Sequence, residues 1–257
     1  MSSFKEKLRA GEPQFGMAYS WPCPGLIEAT AKNFDFCWID AQHGPWDMTN
    51  LVGAVRACDF VGRPALVRVA DHTYGRIGQT LDMGPAGIIL PCVETPEQAQ
   101  AIVDACCFPP VGNRSFGGRR VIDLYARAYA EDPELYPLVF AQIETPPGLE
   151  NIEKIAAMPG IDVLFFGPDD MKIRLGYPLS VPIHSPEVSS IAKQIAEAAR
   201  RHGKFAMTAI GGAPVDIECV LDAGYQLVNI TGDAGLLRTG AAKAAEVAAG
   251  VLKERAK

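Results

Sequence analysis

Eight short runs rich in Val, Ile, Leu and Phe recur along the chain: Phe15–Tyr19, Asp35–Asp40, Ala65–Val69, Gly87–Pro91, Leu138–Glu144, Val163–Gly167, Phe205–Thr208 and Leu227–Thr231. Each is followed by a stretch of helical period. That alternation predicts parallel strands joined by crossover helices. The clearest helix start is Thr95-Pro96-Glu97-Gln98, where a capping Thr, a first-turn Pro and a Gln three residues on form a capping box. Ser185-Pro186-Glu187 opens another helix, and Asp47 or Thr49 caps one that runs to Val61. Pro147 to Met158 reads as a helix, as does Ala213 to Asp222, which stops before Gly224. The last helix, Ala234 to Glu254, is Ala-rich. Eight such units without a linker of biased composition predict one closed (β/α)8 TIM barrel spanning residues 1–257; a doubly wound open sheet is the alternative. The segment Phe108 to Pro137 breaks the rhythm. It carries Gly112, Gly117, Gly118, Arg114, Arg119 and Arg120, and reads as a long functional or interfacial loop.

Composition narrows the function. Hydrophobic residues make up 48% of the 257 and charged residues 21%, which supplies a large core. A net charge of −6 with no basic run beyond Arg119-Arg120 and Arg200-Arg201 argues against a nucleic-acid partner. No apolar run approaches the roughly 20 residues of a membrane span, and the first residues lack the apolar core of a signal peptide. The seven cysteines form no Cys-x-x-Cys pair and read as reduced packing residues, as expected of a cytoplasmic protein.

Against this background, three segments end an apolar run with ionisable groups: Asp40-Ala41-Gln42-His43, Gln142-Ile143-Glu144 and Gly167-Pro168-Asp169-Asp170. In a barrel the C-terminal strand ends share one face, so His43, Arg68, Glu144 and Asp170 are expected together there. Glu144 and Asp170 would come from strands about 4.8 Å apart and repel strongly unless a cation lies between them. Two carboxylates with remaining positions left to water or substrate suit Mg²⁺ or Mn²⁺ better than Zn²⁺. Two separately solvated loop acids are the alternative. Gln142 shares a strand face with Glu144 and either binds a substrate carboxylate or only satisfies neighbouring backbone. Arg68 needs an anionic partner, either substrate or a salt bridge to Asp40 or Glu144. His43, with Asp40 three residues before it, is the natural proton-transfer group. His72 is a weaker candidate at the rim, and His184 and His202 read as surface residues. Asp82 sits at a helix C-terminus, where the dipole disfavours a negative charge; either something positive compensates or solvent screens it.

Taken together, the segments Asp40-Ala41-Gln42-His43, Leu66-Val67-Arg68, Pro109-Pro110-Val111-Gly112-Asn113-Arg114, Gln142-Ile143-Glu144 and Gly167-Pro168-Asp169-Asp170-Met171 resemble the HpcH/HpaI family of metal-dependent 2-oxo acid aldolases. The resemblance runs from about Phe4 to the last helix. It implies a barrel of the phosphoenolpyruvate/pyruvate-binding type, assembled as a homo-oligomer, hexamer or trimer, whose final helix is exchanged between neighbours. It makes Glu144 and Asp170 ligands of a divalent cation, Mg²⁺, Mn²⁺ or Co²⁺, and His43 the proton acceptor. It places Arg68 beside the developing enolate, puts Gln142 and the backbone at Asp169 and Asp170 on the oxo acid, and makes Asp82 an acid that raises the basicity of the active-site His. The implied reaction is reversible cleavage of a 4-hydroxy-2-oxo acid to pyruvate, or a relative such as hydroxypyruvate, and an aldehyde.

Two departures stand out: Gln42 replaces the acid common before the His, and Ala18 stands where several members carry Trp. Rival readings are a CoA-thioester lyase of the citrate-lyase β and malyl-CoA branch, a phosphosugar enzyme using Gly211-Gly212 or Gly232, and a silent barrel acting as an assembly or sensing module. A Schiff-base aldolase requires a lysine inside the barrel, and neither Lys204 nor Lys172 is well placed.

Overall fold

The computed structural model describes residues 3–255. Eight parallel strands close into a barrel in the order β1-β2-β3-β4-β5-β6-β7-β8. They are β1 (Gln14–Tyr19), β2 (Phe36–Asp40), β3 (Ala65–Arg68), β4 (Gly87–Leu90), β5 (Leu138–Ile143), β6 (Val163–Phe166), β7 (Phe205–Ala209) and β8 (Leu227–Gly232). All eight coincide with the expected apolar runs. The helices are α1 (Phe4–Arg9), α2 (Pro24–Thr30), α3 (Met48–Val61), α4 (Tyr74–Leu81), α5 (Pro96–Cys106), α6 (Arg119–Tyr125), α7 (Ala128–Glu131), α8 (Pro146–Glu150), α9 (Ile152–Ala156), α10 (Pro168–Arg174), α11 (Pro186–Arg201), α12 (Pro214–Ala223) and α13 (Asp233–Arg255). Asp47 is the cap of α3, accepting from the Asn50 N–H, and the capping box of Thr95 and Gln98 forms at α5. Gly224 ends α12 in the left-handed region.

The strand registers set the barrel's interior layers, each filled by alternate strands. Gly16, Leu66, Phe140 and Met207 make one layer, and Trp38, Ile89, Phe165 and Asn229 the next one up. Trp38 meets Phe165 edge-on, with ring centroids 5.4 Å apart. Above them lie Ala18, Arg68, Gln142 and Ala209, two small residues facing two polar ones, so the apolar filling stops here and the mouth opens. The opposite end is closed by α1, whose Phe4 and Leu8 pack on the interior cluster around Phe36. Lys5 fastens that plug by donating to the carbonyls of Pro133, Glu134 and Tyr136.

Two expectations need correction. The segment Phe108 to Pro137 is no open loop: it holds α6, α7 and a 3₁₀ turn at Pro133–Leu135, folded around Phe108, Val121 and Tyr129. The helix expected over Pro147 to Met158 is two, α8 and α9, interrupted at Asn151, whose side-chain amide donates to the carbonyls of Glu94 and Pro147. The last helix begins as expected but leaves the barrel: from Gly235 onward its residues are exposed, including Leu236, Leu237, Val247, Val251 and Leu252. Among the described residues no helix is long and apolar enough to cross a membrane.

Candidate active site

Asp40 and Arg68 are register partners at the ends of β2 and β3, and both are buried. The Arg68 guanidinium donates through Nε to Asp40 Oδ1 at 2.9 Å and through Nη2 to Oδ2 at 2.7 Å, a two-pronged pair that fixes its plane. Its carbon centre lies 4.7 Å from the centroid of Trp38, so the indole forms the shelf on which the cation rests. Of the two acids open as salt-bridge partners of Arg68, Asp40 is the one it binds. Asp40 Oδ1 also accepts from the backbone N–H groups of Gln42 and His43 and so bends the chain after β2. Gly44 completes that bend because a Cβ there would stand 2.4 Å from the Ser20 carbonyl oxygen and 2.5 Å from that of Asp40.

Glu144 follows β5 and is buried, 2% exposed, with both oxygens engaged. Oε1 accepts from the backbone N–H of Cys92 at 2.9 Å and from its thiol at 3.1 Å. Oε2 accepts from Gln142 Nε2 at 2.5 Å. Because a carboxylate only accepts, this contact orients the Gln142 amide and leaves its buried Oε1 without a partner among the described residues. Burial raises the Glu144 carboxyl above its ordinary range, the Cys92 thiol pulls it back, and the negative charge of Asp170 raises it again. The Cys92 thiol is itself pushed up to about 12, first by burial and then by Glu144, so it acts as a donor rather than a thiolate. Gly167 makes room for this arrangement: a Cβ there would lie 2.6 Å from Glu144 Oε2.

Asp169 and Asp170 occupy the first turn of α10. Asp169 faces outward and pairs with Lys172 at 2.8 Å. A cavity of about 200 Å³ opens at the strand ends, and its wall contains His43, Arg68, Gln142, Glu144 and Asp170. Trp38 and Phe165 form its floor; Gly167, Pro168 and Asp169 also border it. The strand-end residues singled out from the sequence thus meet around one space, with Asp40 behind Arg68.

Asp82 does not join them within one chain. It ends α4, and that helix runs back along the barrel for about 12 Å at 1.5 Å per residue, toward the opposite pole. There it meets Arg114, whose Nη2 donates to Asp82 Oδ1 at 3.1 Å and whose Nη1 donates to the Tyr129 hydroxyl at 2.9 Å. The positive partner foreseen for Asp82 therefore comes from the Pro109–Arg114 segment. Trp38 and Cys92 are the site residues that the sequence did not disclose: both sit in apolar runs where an indole or a thiol is ordinary filling.

Among the described residues no lysine borders the cavity. Lys172 is turned away onto the carbonyls of Leu179 and Val181, and Lys204 donates to the Met158 carbonyl. Neither of these two lysines supplies a Schiff-base nucleophile to the cavity. Among the described residues no cluster of three or more His, Cys, Asp or Glu side chains could hold a metal alone. The two-carboxylate set nevertheless fits a hard divalent cation: both donors are oxygens, and the Asp170 charge disfavours ionised Glu144, a penalty that a cation between them would relieve.

The family model described as HpcH/HpaI aldolase/citrate lyase matches residues 24–239. The chain belongs to the HpcH/HpaI family. It is 33% identical over 256 residues to a hydroxypyruvate/pyruvate aldolase of Roseobacter denitrificans, covering 96% of this chain and 97% of that one. It is 40% identical over 174 residues to a 4-hydroxy-2-oxovalerate aldolase of Novosphingobium aromaticivorans, 66% of either chain. Among solved structures, an HpcH/HpaI aldolase/citrate lyase family protein from Burkholderia cenocepacia superposes with a TM-score of 0.85 at 28% identity, covering 96% of this chain and 99% of that one. The HpcH/HpaI assignment accounts for both the barrel and the order of the strand-end motifs.

Proposed function

We propose that this chain is a divalent-metal-dependent aldolase that reversibly cleaves a 4-hydroxy-2-oxo acid into pyruvate, or a related oxo acid such as hydroxypyruvate, and an aldehyde. The observation that carries this is the meeting of Glu144, Asp170, Arg68 and His43 around one cavity. Glu144 and Asp170 would hold Mg²⁺, Mn²⁺ or Co²⁺, which would supply a Lewis acid for the keto group. The second amide hydrogen of Gln142 and the backbone N–H groups at Asp169 and Asp170 orient the oxo acid. His43 takes the proton of the 4-hydroxyl; the C3–C4 bond then breaks, its electron pair passing toward the keto oxygen as the aldehyde forms. Arg68, held in plane by Asp40, faces that growing negative charge. C3 then regains a proton to give pyruvate.

The exposed last helix supports a homo-oligomer in which α13 lies on a neighbouring copy, because an apolar row of this length is costly in water. In such an assembly Asp82 acts on His43 only from another subunit. The test is pyruvate release from 4-hydroxy-2-oxopentanoate with Mg²⁺, Mn²⁺ or Co²⁺. Activity is expected to vanish with EDTA, return with added metal, and be absent in a folded Glu144→Ala variant. Turnover that survives EDTA or the substitution would sink the proposal.

A further inference from the structure

A second cavity, of about 500 Å³, lies beside His43 and is bordered by neither Glu144 nor Asp170. His43 borders both spaces. The new cavity is walled by Trp21 and Pro45 from the loops after β1 and β2, and by Ala234, Leu237 and Arg238 from the first turns of α13. Its walls are braced by Asp233, a buried carboxylate that accepts from the N–H groups of Ser20 and Trp21, each at 2.9 Å, and so ties the β1 loop to the start of α13. Trp21 is 55% exposed, a large apolar surface beside a polar site, and Leu237, in the first turns of α13, faces the same cavity.

We propose that this cavity receives the substituent of the aldehyde and selects an apolar one, aliphatic or aryl, over short hydroxylated aldehydes. The inference rests on the aldolase reading and adds the substrate class. His43 serves the hydroxyl on C4, the carbon that leaves as the aldehyde, so whatever else C4 carries must extend from the neighbourhood of His43. A third cavity of about 370 Å³, beside Asp169, Lys172 and Asp216, does not reach His43. The cavity that does reach it offers an indole, a proline ring and aliphatic carbons. Apart from His43, Ser20 and Arg238 are the polar members of a wall that is otherwise mostly carbon, so an apolar substituent gains more by covering it than a chain of hydroxyls does. Arg238 donates through Nε to the Ala234 carbonyl at 3.0 Å, which holds its flat guanidinium at the rim, where it can lie against an aromatic ring.

The test is aldol addition of pyruvate, with Mn²⁺, to benzaldehyde, hexanal and glycolaldehyde. The kcat/KM ratio of either apolar aldehyde to glycolaldehyde is expected above about tenfold, the scale on which apolar pockets discriminate. Trp21→Ser and Leu237→Ser should each lower that ratio about tenfold. Both side chains are half exposed, so the variants are expected to fold, and the ratio is internal to each preparation. A wild-type ratio near one, or a ratio untouched by both substitutions, overturns the inference. Exchange of the pyruvate methyl protons with D₂O by the wild-type enzyme needs no aldehyde. Its absence defeats the aldolase reading itself, while exchange without aldehyde preference defeats only the selection proposed here.

Discussion

Gly167→Ala is the smallest change that should disable the site. The added Cβ would lie 2.6 Å from Glu144 Oε2, 2.7 Å from Glu144 Cβ and 3.0 Å from Gln142 Nε2. A carbon–oxygen contact settles at about 3.3 Å, so the carboxylate must retreat by about 0.7 Å. Glu144 has nowhere easy to go, because Cys92 holds one of its oxygens twice and Gln142 holds the other. A misplacement of about 1 Å at a reacting centre costs on the order of 100-fold in rate. The overpacking itself should cost roughly 1–3 kcal/mol, which leaves the barrel folded. Three measurements on one preparation check this: Mn²⁺ affinity, kcat for pyruvate release, and Tm. The expected result is at least tenfold weaker Mn²⁺ binding, about 100-fold slower turnover and a lower Tm in a cooperatively folding protein. Mn²⁺ affinity and kcat both within threefold of wild type would refute the claim that Glu144 is held by a tight, fully engaged cradle.

Other outcomes follow from the same structure. Asp40→Ala strands the buried Arg68 without its counterion and should cost roughly 3–5 kcal/mol in urea unfolding; a loss under about 1 kcal/mol would show that the pair is effectively solvated. Leu8→Ala removes the 1%-exposed side chain that plugs the barrel foot and should cost roughly 2–5 kcal/mol while folded molecules keep their turnover number. Asp162 accepts from the Val139 N–H at 2.8 Å, and burial raises its carboxyl above the usual range. A raised pKa means that the folded state binds the proton more tightly, so this group's stabilisation is present at low pH and lost as pH rises through its folded pKa. Asp162→Asn, which keeps an acceptor without the charge, should therefore raise Tm at pH 7 and lose that advantage toward pH 3.8. A variant that is less stable at pH 7 would contradict the sign.

The barrel was legible because every strand is a run of Val, Ile, Leu or Phe flanked by helix caps, and those local signals agree with the global closure. Strand-end positions for Asp40, Arg68, Glu144 and Asp170 followed from the same runs. What stayed hidden depended on contacts distant in sequence. The folded core of Phe108, Val121 and Tyr129 has no period of its own, and Arg114 reaches Asp82 across 32 residues. The break at Asn151 arises from its bond to the Glu94 carbonyl, 57 residues away. Cys92 becomes a Glu144 donor only because β4 and β5 lie side by side, and Trp38 becomes the shelf for Arg68 only once β2 and β3 pair.

Glu144 and Asp170 together are expected to hold one divalent cation at the mouth of the barrel. Titration of the protein with Mn²⁺, followed by the loss of free-ion electron paramagnetic resonance signal, tests it most directly in wild type, Glu144→Gln, Asp170→Asn and Asp169→Asn. One ion per chain is expected in the wild type, with affinity at least tenfold weaker in Glu144→Gln and Asp170→Asn and nearly unchanged in Asp169→Asn, whose carboxylate faces out toward Lys172. Wild-type affinity in both Glu144→Gln and Asp170→Asn would contradict the account.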